Sequence, residues 1–492
     1  MSLLGPMTGL WMLLALGVLT VSTGLPVWAL LIGVSSLFAA AGLGAGVMDV
    51  NILSAMPMRL VGLLENDLLQ ALPLYVFVGM LLQRMGLADA LFSVMARWFR
   101  PLGGSHALAT LGVGALIAPM NGSVASSASL IARLVSPRLA HLDAGRATAL
   151  ASAAATIGVI VPPSLVLILL GDAMMRAHTE ASSLSGSALG SARIISTQDV
   201  FNATLLPGLC ILLLWSLLAR WQSRHLKADI PAVSRAQYAV AIVAGSVILA
   251  LLAGVFSGKL FAVEAAATGC MLLMLAALLS RALRGSDWRE LLADTLNLSG
   301  ALMALLMGAT VFSLIFRLFG TDRWILAVLA ASPLPPLLTA AGVLLLVALC
   351  AWVLDAFEMI FVVVPIVAAP LIAMLGDAQQ VAVLLLLVLQ LSFLVPPMGY
   401  AVMMARARFG RDLSAADLFG ALGPFIAVQL CVVMAVFFAP SVVHQLDAAA
   451  LPEAQDSEQE ILQKMQDMAT PPAGEGSPES NTLTELPTKG KP

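Results

Sequence analysis

Two short runs of this sequence set a proline pair inside apolar surroundings, and the chemistry they allow is cation coordination by backbone oxygen. The first is Ile157-Gly158-Val159-Ile160-Val161-Pro162-Pro163, and the second is Ser392-Phe393-Leu394-Val395-Pro396-Pro397. Proline has no N–H, so within a helix it leaves the carbonyl four residues earlier without its donor. The carbonyls released here belong to Gly158 and Val159 in one run and to Ser392 and Phe393 in the other. Away from water such groups are costly unless something binds them. A hard cation such as Na⁺, which takes oxygen ligands, answers that need.

Each run has a polar companion 41 positions upstream: Asn121-Gly122-Ser123 before Pro162, and Asp355-Ala356-Phe357-Glu358 before Pro396. Pro162 and Pro396 are 234 positions apart, and so are Asn121 and Asp355. Gly122 permits a turn, while Asn121 and Ser123 supply oxygens and a helix cap. The expectation is a helix broken into a hairpin tip, with Ser126, Ser127 and Ser129 lining the returning arm. Asp355 and Glu358, three apart, share a helical face. An acid within an apolar stretch marks a functional position by default. Gln390 enters the second proline run. Each feature also has a blander reading. A proline pair can be a plain kink, serines can serve close helix packing, and Asp355 or Glu358 can cap its own hairpin. Their return at one offset favours a site.

The elements that must hold these residues are apolar spans. The chain is 492 residues long, 60% hydrophobic and 11% charged, with mean hydropathy +0.97. A soluble chain would carry about a quarter charged residues, so the sequence predicts an all-α polytopic membrane protein. A net charge of −3 points away from nucleic acid, and four isolated cysteines and five scattered histidines show no metal-ligand spacing. The first apolar stretch, lacking a basic n-region and cleavage site, is expected to be a retained helix. Simple spans are predicted near 7–22, 25–48, 70–84, 145–170, 201–220, 236–255, 260–282, 302–318, 378–404 and 420–443. Two further apolar regions, near 105–138 and 338–375, are interrupted by the polar clusters and are expected to enter and leave on one side. Stretches 52–66 and 286–300 are more polar and suit the membrane interface.

The organisation that follows is a first repeat half over 1–170, a loop insertion over 171–200, connecting helices over 201–285 and a second repeat half over 286–445. An acidic, proline-rich tail over 446–492 lacks the apolar content to fold alone. Basic clusters at Arg220, Arg224, Lys227 and Arg235, at Arg281, Arg284 and Arg289, and at Arg406, Arg408 and Arg411 all fall on one side when spans are counted. That side should be the cytoplasm. The equivalent loops of the two halves then face opposite sides, as in an inverted repeat, and discontinuous helices in inverted repeats build midplane sites in secondary transporters.

At these residues the sequence resembles the large (DctM-like, M) membrane subunit of tripartite ATP-independent periplasmic (TRAP) transporters. The likeness runs over about residues 1–445. It rests on Leu72-Pro73-Leu74-Tyr75-Val76-Phe77-Val78-Gly79, on Asn121-Gly122-Ser123-Val124-Ala125, on Gly158 to Ser164, on Leu354 to Glu358 with Val363-Val364-Pro365, and on Ser392 to Gly399. The Leu354 to Glu358 form and the insertion are similar to a longer, mannitol/chloroaromatic-type subclass. The chain departs from the family pattern with Asn121 in place of a usual serine and Val395 in place of a usual threonine.

The resemblance implies an inverted-repeat ion-transporter-superfamily fold with two re-entrant hairpins and an elevator-type motion. It implies Na⁺-coupled import of organic anions at the bacterial inner membrane, with no enzyme activity and no other cofactor. Its partners would be a small four-helix (Q) subunit and a periplasmic substrate-binding (P) protein. The expected Na⁺ ligands are Asn121, Gly122, Ser123, Gly158, Val159, Pro162, Pro163, Asp355, Ser392, Phe393, Pro396 and Pro397. The expected substrate contacts are Ser123, Ser126, Ser127, Glu358, Gln390 and Gly399. The alternative is an ion-coupled carboxylate carrier of the same superfamily that needs no binding protein. A hydrolase using Ser123 would need a base, for which His106 and His141 are nearest in sequence.

Overall fold

In the computed structural model, residues 5–49, 51, 54, 56–65, 67–121, 123–162, 164–185, 195–225, 232–352, 354–396, 399–410 and 413–446 are described. Gly122, Pro163 and Pro397, the side chain of Asn121 and the acidic tail lie outside them. The described residues are helical, without a strand. In order they form α1 (Thr8–Thr23), α2 (Val27–Gly44), α3 (Met56–Leu64), α4 (Asp67–Arg84), α5 (Leu87–Trp98), α6 (Ser105–Ile117), α7 (Val124–Val135), α8 (Ala144–Thr156), α9 (Leu165–Ser185) and α10 (Thr197–Ser223). Then follow α11 (Arg235–Phe256), α12 (Ala262–Ser280), α13 (Gly285–Leu318), α14 (Thr321–Ala330), α15 (Pro336–Ala351), α16 (Val364–Leu375), α17 (Ala378–Ser392), α18 (Tyr400–Phe409) and α19 (Ala415–Phe438). Among the described residues seven helices are long and apolar enough to cross a membrane, and the bent pair α3–α4 adds an eighth.

The offset of 234 extends well beyond the two proline runs. Ala144 and Ala378 open α8 and α17 at that spacing, and Leu87 and Thr321 open α5 and α14. The helix caps repeat with it. Asp143 accepts from the Arg146 amide, and Asp377 accepts from the amides of Gln379 and Gln380. Such caps satisfy the orphan donors of a helix start. By the same spacing α11 and α12 match α1 and α2, so the second copy includes helices expected to be mere connections.

The copies interlock by exchanging partners. Helix α2 packs on α13, and its equivalent α12 packs on α4, the equivalent of the second half of α13. Likewise α9 packs on α16 while α18 packs on α7. Each broken helix therefore continues onto the returning arm of the other copy's hairpin.

Each interrupted region is a pair of helices joined at its polar cluster. Helices α6 and α7 are joined through a short 3₁₀ turn at Pro119–Asn121. Helices α15 and α16 are joined through Ala356–Glu358 and a π-helical turn at Met359–Val363. The proline runs split 145–170 into α8 and α9, and 378–404 into α17 and α18.

Three boundaries differ from the sequence expectation. The stretches 286–300 and 302–318 are one 34-residue helix, α13. No proline or capping signal separates them, so polarity alone suggested the division. Helix α9 runs to Ser185, well into the expected loop. Its Asp172 and Arg176 pair at i,i+4, and Ala173, Ala177 and Ala181 are strong helix formers. Helices α5 and α14 were not anticipated. Each is short and two-faced: in α5, Leu87, Leu91, Phe92 and Val94 are buried while Asp89 and Arg97 flank that face. Such segments fall below the apolar length of a span.

Candidate functional site

The first hairpin tip and the first proline break are pressed together. A Cβ at Gly158 would lie 2.4 Å from the Ala118 carbonyl carbon and 2.7 Å from its oxygen, so only glycine allows this approach. Lower down, a Cβ at Gly114 would lie 2.4 Å from the Ala154 oxygen, which brings α6 against α8. Between tip and break is a void of about 10 Å³, lined among others by Ser123, Ser127, Gly158, Val159 and Ser164. That is close to the least volume one water-sized sphere needs.

Three serines stand among its lining residues. Ser123 is half-buried, and Ser127 and Ser164 are buried. The Val161 amide turns back to the Ile157 carbonyl at 3.2 Å, as the Ile160 amide does at 3.1 Å. Among the described residues no donor reaches the carbonyls of Gly158 or Val159, as the proline rule requires. Three serines and the two residues that carry unclaimed carbonyls line one small void, a residue set that suits a single hard cation in size and donor type. Ser164 was not among the expected ligands, although it follows the proline pair directly and its carbonyl accepts the Ile168 amide at 2.9 Å.

Ser126 faces the other way. Its Oγ is 3.3 Å from Nε2 of Gln83 on α4. The tip is thus tied to a neighbouring span by a glutamine.

The second tip and break meet through different chemistry. Nε1 of Trp352 donates to the Val395 carbonyl at 3.0 Å, and the same carbonyl accepts the Gly399 amide at 2.9 Å. Gly399 is itself close-packed: a Cβ there would lie 2.6 Å from the Phe393 oxygen and 2.8 Å from the Val395 oxygen. The Ser392 carbonyl, expected to be free, accepts the Val395 amide at 3.3 Å in a tightened turn. The Ser392 hydroxyl donates to the Val388 carbonyl at 2.8 Å. Glu358 accepts from the Asp355 amide at 3.1 Å, capping its own turn. Oδ1 of Asp355, by contrast, is buried with no hydrogen-bond partner among the described residues. Tyr400, the first residue of α18, lies within electrostatic reach of both acids. Neither Trp352 nor Tyr400 was singled out by sequence, since an aromatic in an apolar chain carries no signal of its own.

Gln390 is turned elsewhere. It is fully buried, and its Oε1 accepts from Nε2 of Gln429 on α19 at 3.0 Å. His106 and His141 stack on each other with ring centroids 5.5 Å apart. His106 sits in the first turn of α6, roughly 16 Å of helix from the tip that carries Ser123, which leaves that serine without a histidine base. No group of three or more His, Cys, Asp or Glu residues able to hold a metal occurs among the described residues.

Comparison with known proteins agrees with this architecture. The YdaH transporter of Alcanivorax borkumensis superposes with a TM-score of 0.57 at 15% identity, over 89% of this chain and 98% of that one. MtrF of Neisseria gonorrhoeae, from a class of antimetabolite efflux pumps, gives 0.52 at 15% identity over 82% and 85%. At that identity they show the fold alone. In sequence, the sialic acid TRAP transporter large permease SiaM of Vibrio cholerae is 24% identical over 352 residues, 70% of this chain and 78% of that protein. The ectoine/5-hydroxyectoine TRAP transporter large permease UehC of Ruegeria pomeroyi is 25% identical over 391 residues, 76% and 84%. The isethionate TRAP transporter permease DctMQ of Oleidesulfovibrio alaskensis is 22% identical over 389 residues, 76% and 57%. The family model described as the DctM component of the tripartite ATP-independent periplasmic transporter matches residues 10–442. The chain is therefore a member of the DctM family of TRAP large permeases, a multi-pass protein of the bacterial inner membrane.

Proposed function

We propose that this protein is the membrane-spanning engine of a Na⁺-coupled importer of organic anions, working with a small membrane subunit and a periplasmic binding protein. The observation that carries the ion assignment is the small void between the first tip and the first break, lined among others by Ser123, Ser127, Ser164, Gly158 and Val159, the last two with carbonyls that no donor reaches among the described residues. Na⁺ binding there would hold the tip against the break. Asp355, with its buried unpaired oxygen, is the best candidate to contribute to a second ion. The substrate carboxylate would then sit between the two tips, held by hydroxyls and backbone donors at helix starts. The named solutes of the relatives, sialic acid, ectoine and isethionate, support a small organic anion. The motion would be an elevator: the hairpins and broken helices move as one body against the paired α2–α13 and α4–α12 helices.

The test is Na⁺-driven uptake in proteoliposomes holding the complete three-part system. Ser123→Ala and Pro162→Ala are expected to weaken the Na⁺ dependence of uptake while leaving docking of the binding protein intact. Wild-type Na⁺ dependence in both variants would refute the ion assignment.

A further inference from the structure

Away from the tips, a cavity of about 220 Å³ opens between α3, α9, α13 and the second hairpin. Its charged lining is Arg59 from α3, Asp172, Arg176 and Glu180 from α9, and Arg317 from α13. The internal pairs are Asp172 with Arg176, and Glu180 with Arg317 at 2.7 Å. Arg59 makes no ion pair among the described residues. Three guanidiniums thus face two carboxylates, a surplus of one positive charge. Asp322 lies within electrostatic reach of Glu180 but is not part of the wall.

The repeat shows that this surplus is particular to one copy. Arg84 ends α4 as Arg317 nearly ends α13, 233 positions later. Arg84 bonds Glu290 at 3.0 Å and Asp294 at 2.6 Å, both on the first turns of α13. At the register positions of those two acids, 234 earlier, α3 has Met56 and Leu60, with Arg59 beside them. One end of the molecule therefore sets one arginine against two acids. The copy-related end has apolar residues at the register of the acids with Arg59 beside them, and Arg317 takes its partner from α9 instead.

We propose that this cavity is a reception site for the carboxylate group of a small organic acid. A guanidinium presents a planar fork of donors that matches a carboxylate, and one carboxylate neutralises the surplus charge. Ile360, Phe361 and Pro365 of the second hairpin and Leu306 and Leu314 of α13 form an apolar wall. That wall takes a carbon skeleton, which an inorganic anion would leave wet. The volume lies below the ~300–1,000 Å³ of pockets for drug-sized ligands, which favours a small acid. The assignment rests on the transport reading above: the cavity adjoins the second hairpin and would load acid before the tips take it.

The experiment is calorimetric titration of succinate into the complete complex in zwitterionic nanodiscs, in Na⁺-free buffer, where the tips are not organised by ions. Wild type is expected to bind. Arg59→Gln should weaken binding about ten- to a hundredfold, the loss of one charge-assisted contact, and Arg59→Lys should recover part of it. Absence of Na⁺-free binding in wild type, or unchanged affinity in Arg59→Gln, overturns the proposal. If binding persists in Arg59→Gln but vanishes in Ser123→Ala, the acid sits at the tips; the transport reading then stands and the cavity assignment falls. Nanodiscs doped with phosphatidylglycerol separate the other anion source. If that lipid abolishes succinate binding and Arg59→Gln relieves the block, the cavity holds a lipid headgroup and the proposal is overturned.

Discussion

Substituting alanine for Gly158 gives the sharpest test of the first ion site. The added methyl would meet the Ala118 carbonyl carbon at 2.4 Å, its Cβ at 2.6 Å and its oxygen at 2.7 Å. Two of these three atoms are backbone of the hairpin tip, so no side-chain rotation relieves the clash. Either the tip or the break must move. Overpacking of this kind costs ~1–3 kcal/mol. At ~1.4 kcal/mol per tenfold, that is about five- to 150-fold in the concentration of Na⁺ for half-maximal uptake, if the whole cost falls on the ion-bound arrangement. The assay is the Na⁺ dependence of uptake in proteoliposomes, with thermal unfolding as a check on folding. Gly300→Ala, on α13 with nothing within 4 Å of its added methyl, is the matched control and should behave as wild type. A Gly158→Ala protein with unchanged Na⁺ dependence would falsify the placement of the ion between tip and break.

Two further outcomes follow from single contacts. Trp352→Phe removes the indole donor to the Val395 carbonyl, which keeps the Gly399 amide. The loss should be ~0.5–1 kcal/mol, read as a small fall in thermal midpoint and a two- to fivefold change in transport affinity (about those factors by the same conversion). Gln429→Leu deletes donors to the Leu387 carbonyl and to Gln390, leaving a fully buried amide unpaired. It should destabilise by ~1–3 kcal/mol, and Gln390→Leu added to it should recover much of that. A strictly additive double variant, measured by unfolding, would show that the two amides do not act as a pair.

Most of the site's framework was legible because proline and glycine act through the backbone. The pairs at Pro162 and Pro396 announce their breaks without knowledge of tertiary contacts, and their common offset announces the repeat. Side-chain direction was not legible. Gln390 enters the second proline run, yet it faces Gln429, since nothing in sequence says which side of α17 meets α19. Ser126 and Ser127 are adjacent, but one turns to Gln83 and the other to the void. A shift of one residue turns a helical position by about 100°, and only the packed neighbours decide which face matters. The helices α5 and α14 escaped for another reason. A short amphipathic segment is recognisable chiefly by what buries its apolar side, which sequence does not state: α5 packs on both its neighbour α6 and the distant α11.

The difference between the two tips takes on a physical meaning once their contacts are compared. At the second break the Ser392 carbonyl is claimed by the Val395 amide, the Ser392 hydroxyl by Val388, and the Asp355 amide by Glu358. One oxygen of Asp355 and the Phe393 carbonyl are left without a donor among the described residues. At the first break the carbonyls of Gly158 and Val159 have no donor among the described residues, and unsatisfied carbonyls at membrane depth are costly. A cation therefore relieves two open carbonyls at the first break, against one carbonyl and one carboxylate oxygen at the second, a gain at each. The exchange of partners then spreads that gain: α9 leaves the first break and packs on α16 of the second hairpin, while α18 leaves the second break and packs on α7 of the first. In the proposed mechanism an ion that fixes the first break fixes the start of α9, and with it the returning arm beneath the second tip. One ligand would thus bias both hairpins through direct packing, because each copy completes the other's site.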